Sequence, residues 1–293
     1  MNCKTAILSL GLSLLTALNV VASPAGEKSN PGQDTPPPTI AIIIDDMGNY
    51  KDMGLRAINI PAPMTFAFLP FRPYTEEHAR LAHASGKEIM LHAPMENTKS
   101  LPLGHAGLTS DMDSLKMAIT FRRAIRSIPY LSGVNNHMGS ALTQNRSAMN
   151  VLMKELSSYP LYFVDSRTTP MTVAYDVATE HAIPSLGRDV FLDHLITTKA
   201  IDFQFQRLLS IARKNGTAIA IGHPHKETIE YLEKAIPMLG KEGVAIATVK
   251  GIWAIRHNAM SMFKPNRKEN ARLMAVSSVR AKDKDDDSEE PTL

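Results

Sequence analysis

Eight short apolar runs punctuate the chain, at residues 40–44, 65–69, 88–91, 133–136, 161–164, 190–192, 217–221 and 244–248. Runs of this length that alternate with helix-length segments are strands of βα units, and such units wind into a mainly parallel sheet. Seven or eight of them favour closure into a barrel over an open sheet, so the expected fold class is α/β. A helix is expected over 199–215, ended by the left-handed residue that Gly216 supplies. A second is expected to open at Ser110 as its cap, with Asp113 three residues on and Leu115, Ala118, Ile119, Arg122, Ile125 and Ile128 roughly at helical spacing.

In parallel α/β folds ligands bind beyond the carboxyl ends of the strands, so the polar residues there are the ones to collect. They are Asp45 and Asp46 in IIIDDMG, His92 in IMLHAPM, Asn135, Asn136 and His137 in VNNHMGS, Asp165 in YFVDSRT, Asp193 in VFLDH, and His223 and His225 in IAIGHPH. A single His in such a place is commonly a hydrogen-bonded structural residue, and an Asp is commonly a helix cap or loop holder. Asp165 and Asp193 fit either description. His92, His137 and His223 differ because they recur together with an acidic pair.

Two adjacent carboxylates at the mouth of a barrel repel one another and are costly to desolvate unless a cation or hydrogen bonds compensate them. Neighbours on an extended strand point to opposite sides. A turn at the strand end, which Gly48 makes easy, would bring both to the mouth. The chain has one cysteine, Cys3, ahead of an apolar stretch from Ala6 to Val21. With Lys4 before it and Ala22 and Ser23 after it, this stretch has the layout of a secretory signal peptide. It is shorter than the roughly 20 apolar residues of a membrane span and is interrupted by Ser9, Ser13, Thr16 and Asn19, so contact with a membrane is expected only if this segment is left uncleaved. An exported chain without its leader has no cysteine, which leaves His, Asp and Glu to hold any metal. Two imidazoles and a carboxylate suit Zn²⁺, with a position open to water, and also Fe²⁺, Co²⁺ or Ni²⁺.

The domain plan that follows is a signal peptide over 1–23, a flexible Pro-rich linker over 24–38, one folded domain over 39–257 and a polar tail over 258–293 with the charge run KDKDDDSEE. Hydrophobic residues at 44%, charged residues at 21% and a net charge of +3 are ordinary for a globular protein and give no reason to expect nucleic acid as a partner.

IIIDDMG, LHAPM, NNHMGSALT, YFVDS, VFLD and IAIGHPH, in that order, resemble the divergent polysaccharide deacetylase family of the polysaccharide deacetylase superfamily. The resemblance covers roughly 39–256 and implies a distorted (β/α)7 barrel in a single domain. It also implies metal-dependent removal of N- or O-acetyl groups from a sugar polymer, with a polysaccharide or peptidoglycan-type glycan as partner and a periplasmic or extracellular setting. By position, Asp45 would be the general base, Asp46 a metal ligand and His92 the first histidine of the metal motif. Ordinary deacetylases place a second ligand four residues later, where this chain has Glu96, and His137 is the favoured replacement. His223 matches the general acid, and His225 could assist it or hold the loop. The arginine that orients the base in ordinary members has no counterpart in its usual place, which NNHMGS occupies. Arg167 or Arg188 could stand in for it. Asn136, Asp165, Arg188, Asp193 and His225 are therefore candidate supporting or substrate-contacting residues. The competing reading is a deacetylase-like module that binds glycan or an envelope protein without catalysis.

Overall fold

The computed structural model describes residues 36–257. The expected leader, most of the linker and the polar tail lie outside these residues. Among the described residues no helix is long and apolar enough to cross a membrane.

The strands are β1 (Thr39–Met47), β2 (Thr65–Phe68), β3 (Glu88–Met95), β4 (Leu131–Met138), β5 (Tyr162–Asp165), β6 (Ser185–Gly187), β7 (Val190–Phe191), β8 (Thr217–Gly222) and β9 (Ala245–Ile246). The helices are α1 (Lys51–Ile58), α2 (Thr75–Ala84), α3 (Ser114–Arg126), α4 (Arg146–Leu156), α5 (Ala174–Glu180), α6 (Thr198–Asn215), α7 (Lys226–Ala235) and α8 (Val249–Arg256). All the strands belong to one parallel sheet in the order β6-β5-β4-β3-β2-β1-β8-β7, with β9 paired to β1.

The circuit closes without a ladder between β6 and β7, because the two are halves of one extended segment. Its first half pairs with β5 and its second with β8. Where they meet, the Arg188 amide donates to Asp165 O and the Asp189 amide to Ile219 O. One stretch of backbone thus holds both edges, and this is the distortion of a barrel with seven strand positions. The sequence reading placed a strand at 190–192 and missed β6, since three residues of sequence SLG carry no period to detect.

Alternation along β1 separates two apolar layers. Ile40, Ile42 and Ile44 face outward into the layer beneath the surrounding helices, with Ala79, Phe121, Leu152, Leu208 and Leu232. Ala41 and Ile43 face the barrel interior with Ala67, Met90, Tyr162, Val164, Leu186, Ile219 and Ile221. β2, β3, β5 and β8 are buried along their whole length, which explains their mostly apolar runs. The last helix among the described residues, α8, closes the amino end of the barrel with Val249 and Ile252. Trp253 packs against this interior cluster and stacks on His257, with ring centroids 4.3 Å apart, at the end remote from the site.

The helix starts follow capping chemistry. Asp113, not Ser110, caps α3, its carboxylate accepting from the Lys116 amide at 2.7 Å. Thr197 caps α6, which ends at Gly216 with φ of +82° as expected.

Candidate active site

The interior is apolar in its lower half and polar above it. Extending the inward series of β1 beyond Ala41 and Ile43 brings in Asp45, and the inward series of β3 runs Glu88, Met90, His92. On β4 it runs Gly133, Asn135, His137. His92 is the register partner of Asn135, so the two side chains sit side by side.

Asp46 should point away from this cluster by alternation, and it does not. Its φ is +56°, and the pairing of β1 with β2 shifts register between Ile44 and Met47. The acid itself takes the left-handed turn, which Asp tolerates better than most residues. Gly48, with φ of +101°, completes the reversal, and a side chain there would collide with Thr75. From sequence, Gly48 alone is the residue expected to make this turn. Backbone strain of this kind collects at functional sites.

The turn aims Asp46 Oδ1 at two imidazoles, 2.9 Å from His137 Nδ1 and 3.3 Å from His92 Nε2, which are themselves 3.0 Å apart. His92 Nδ1 meets Asn135 Oδ1 at 2.7 Å, while the Asn135 amide nitrogen donates to Asp45 Oδ1 at 2.8 Å. Because the Asn135 oxygen can only accept, Nδ1 of His92 carries a proton, and Nε2 is the ring atom that faces Asp46 and His137. Three atoms able to ligate a cation therefore lie together, and Asp46 Oδ1 is buried without a properly directed hydrogen bond. A divalent cation answers that arrangement, and the donor set fits Zn²⁺ and its neighbours in the transition series. Glu96 is not part of the cluster: its carboxylate accepts from the Ser110 amide at 2.7 Å.

Asp45 is buried, with Oδ2 3.6 Å from His92 Nε2. Burial raises its pKa, against the pull of His92, His223 and the Asn135 hydrogen bond. Burial acts on Asp46 in the same direction, but contacts from His137 and His92 outweigh it and hold this carboxylate well below the usual range. On His92 burial opposes the charged form, and the adjacent Asp45 and Asp46 more than reverse that. The acidic pair is thus divided into an anion under all ordinary conditions and a carboxylate that takes a proton more readily.

His223 follows β8 and is held by Asp193. Its ring Nδ1 lies 3.0 Å from Asp193 Oδ1, and its amide donates to Oδ2 at 2.6 Å. Thr228 donates its hydroxyl to the same Oδ2 at 2.9 Å. Burial works against charge on His223, but Asp193, with help from Asp45 and Asp46, raises its pKa to about 9. The His225 ring lies 5.8 Å from that of His223, at the start of α7. Although Asp193, His223 and His225 are also near enough to share an ion, both Asp193 oxygens are already engaged.

The remaining expected residues fall elsewhere. Asn136 points away from the cluster, donating to Met138 O at 2.8 Å and accepting from the Ser166 amide at 2.9 Å. Its neighbour Asn135 occupies the supporting position, and the two-residue step to His137 was the signal that could have found it. Asp165 is a loop holder, accepting from the Arg167 amide and the Thr172 hydroxyl. Arg188 donates to Ser166 O and Arg167 O at 2.7 and 2.8 Å and lies over the Phe191 ring, near enough to Asp45 for their charges to attract. Thr228, which steadies Asp193, carries no signal in sequence.

The chain is similar to several known proteins. The uncharacterized protein YibQ of Escherichia coli K12 is 38% identical over 197 residues, 67% of this chain and 62% of that protein, so the match spans less than two thirds of it. An uncharacterized protein of Haemophilus influenzae is 32% identical over 214 residues, 73% of this chain and 76% of its own length. The crystal structure of an uncharacterized protein from Agrobacterium tumefaciens C58 has the same fold, with a TM-score of 0.71 at 24% identity over 76% of this chain and 92% of that one. The family model of divergent polysaccharide deacetylases matches residues 42–253, and the chain belongs to that family.

Proposed function

We propose that the protein is an exported, metal-dependent hydrolase that removes acetyl groups from a cell-envelope glycan. The observation that carries this reading is the convergence of Asp46, His92 and His137 on one point beside the buried carboxylate of Asp45. Asp46 Oδ1, His92 Nε2 and His137 Nδ1 would hold the cation, with Zn²⁺ favoured. When bound, the cation supplies Lewis acidity toward water and toward an acyl carbonyl.

The chain's own groups supply proton traffic. Asp45 spends Oδ1 on Asn135, which fixes the carboxylate and leaves Oδ2 to take a proton from attacking water. Its raised pKa makes it a better acceptor than a surface aspartate, and Asn135 couples its orientation to that of His92. His223 is protonated at neutral pH, since its pKa stands at about 9, and donates that proton to the departing amine or sugar oxygen. Asp193 keeps the imidazole charged and its Nδ1 occupied, so Nε2 is the donating atom. Arg188, tethered by two carbonyls, adds positive charge near Asp45 and stands where an orienting arginine would be useful.

Acetate release from acetylated peptidoglycan fragments or chitooligosaccharides, with zinc content measured on the same sample, tests the reading. Zinc-dependent release supports it. A protein that binds zinc and glycan but releases no acetate is instead a binding module on this fold, and one that takes up no zinc contradicts the site itself.

A further inference from the structure

Arg72 lies in the loop between β2 and α2, on the face of the barrel where β1 delivers Asp46. Its side chain begins beside Gly48, two residues beyond that acid, and its guanidinium rests against Gly104 in the loop after β3, where any side chain would run into it. Elsewhere in the described residues Arg56, Arg122, Arg146 and Arg213 each grip a glutamate at 2.7 Å. The Arg72 side chain has no hydrogen bond or ion pair among the described residues, and its Nε is buried without an acceptor. A buried guanidinium N–H without an acceptor lowers stability unless something else supplies one. The adjacent Phe71 is 43% exposed, and the guanidinium of Arg123 lies 6.0 Å from its ring centre. An exposed ring with a cation beside it suits a sugar whose apolar face meets the ring while an acidic substituent meets a guanidinium.

We propose that Arg72, with Phe71 beside it, forms a subsite for an acidic group, a carboxylate or a phosphate, carried by the acetylated glycan. The inference rests on the glycan reading of the barrel mouth and narrows it from acetylated glycans in general to acidic ones. The test is calorimetric binding of three N-acetylated disaccharides to the full chain: one neutral, one carrying a carboxylate and one carrying a phosphate. Binding does not require turnover, so a failure of hydrolysis leaves this result readable. Wild type binds one of the acidic sugars at least about tenfold more tightly than the neutral one, as expected for hydrogen bonds to a charged group. Which of the two it prefers identifies the oxyanion. Arg72→Gln brings the preference to about one, and Arg72→Lys keeps part of it. Should Arg72→Gln fail to fold, loss of the wild-type preference on raising the salt to 0.5 M and on Phe71→Ala carries the test. Equal affinity for all three sugars, no measurable affinity for any, or a preference that survives Arg72→Gln overturns the proposal.

Discussion

Asp45 and Glu88 are buried carboxylates inside the same barrel, one near each end, and their surroundings divide the molecule. Glu88 begins β3, four residues before His92 on the same inward face. Its Oε2 accepts from the Thr65 hydroxyl at 2.9 Å and from the Lys250 amide at the start of α8 at 3.2 Å. Burial raises its pKa, and that of Tyr162 beside it. Its hydrogen-bond donors are a hydroxyl and a backbone amide supplied by the fold, and the charge of Lys250 also favours its anion, so the lower carboxylate is a staple between β2, β3 and the closing helix. Asp45 shares its end with a second carboxylate and three imidazoles, and the arrangement leaves one oxygen of Asp46 unsatisfied. A buried acid whose oxygen is met by donors of the fold is finished; one that crowds a second acid and leaves an oxygen unmet awaits a partner.

The largest effects should come from attacking the upper cluster. Asp46→Ala and His137→Ala each abolish zinc binding and acetate release. Asp45→Asn keeps zinc, as measured by its metal content, and lowers kcat by about 10²- to 10⁴-fold, the usual loss when a proton acceptor is removed. Asn135→Ala sharpens the contrast one step back: it frees both Asp45 and His92, and zinc affinity should fall by about 10- to 100-fold in competition titrations with a chelator.

The lower carboxylate should answer in stability alone. Glu88→Ala leaves Thr65 and the α8 amide without their acceptor and should cost about 1–3 kcal/mol in urea denaturation, with zinc affinity unchanged. Glu88→Gln retains an acceptor and should cost less. A loss of zinc in Glu88→Ala would erase the division between the two ends.

The smallest effect is a displaced pH limb. The folded pKa of His223, about 9, lies above its ordinary value of 6.5. The His223–Asp193 pair therefore stabilises the fold fully below about pH 6.5 and loses that contribution as pH rises through about 9. Activity should fall through the same upper limit, because the proton donor is lost there. Asp193→Asn removes the carboxylate behind the shift and should move the alkaline limb down by about one unit or more, seen in pH profiles of kcat/KM.

These two regions also differ in how visible they are in sequence. The upper end is legible because each contributor ends an apolar run, so Asp45, His92, His137 and His223 stand out as charges where the pattern breaks. What the pattern misjudges is orientation. Asn136 was preferred to Asn135 although only Asn135 shares the inward face with His137, and the left-handed turn at Asp46 has no signature beyond the residue's tolerance for it. Glu88 passes unnoticed because it opens a strand, where a charge looks like an ordinary boundary. The β6 to β7 segment is hidden for another reason: its change of partner is decided by the two strands it meets, which local periodicity does not record.

The most direct test of the division is a zinc titration of the metal-free full chain as wild type, Asp45→Asn, Glu88→Gln and His137→Ala, read by calorimetry and by metal content after dialysis. One zinc per chain in the first three, and none in His137→Ala, is the predicted result. A wild type that takes up no zinc, or a His137→Ala protein that binds it as wild type does, would contradict the assignment of the upper cluster as a cation site.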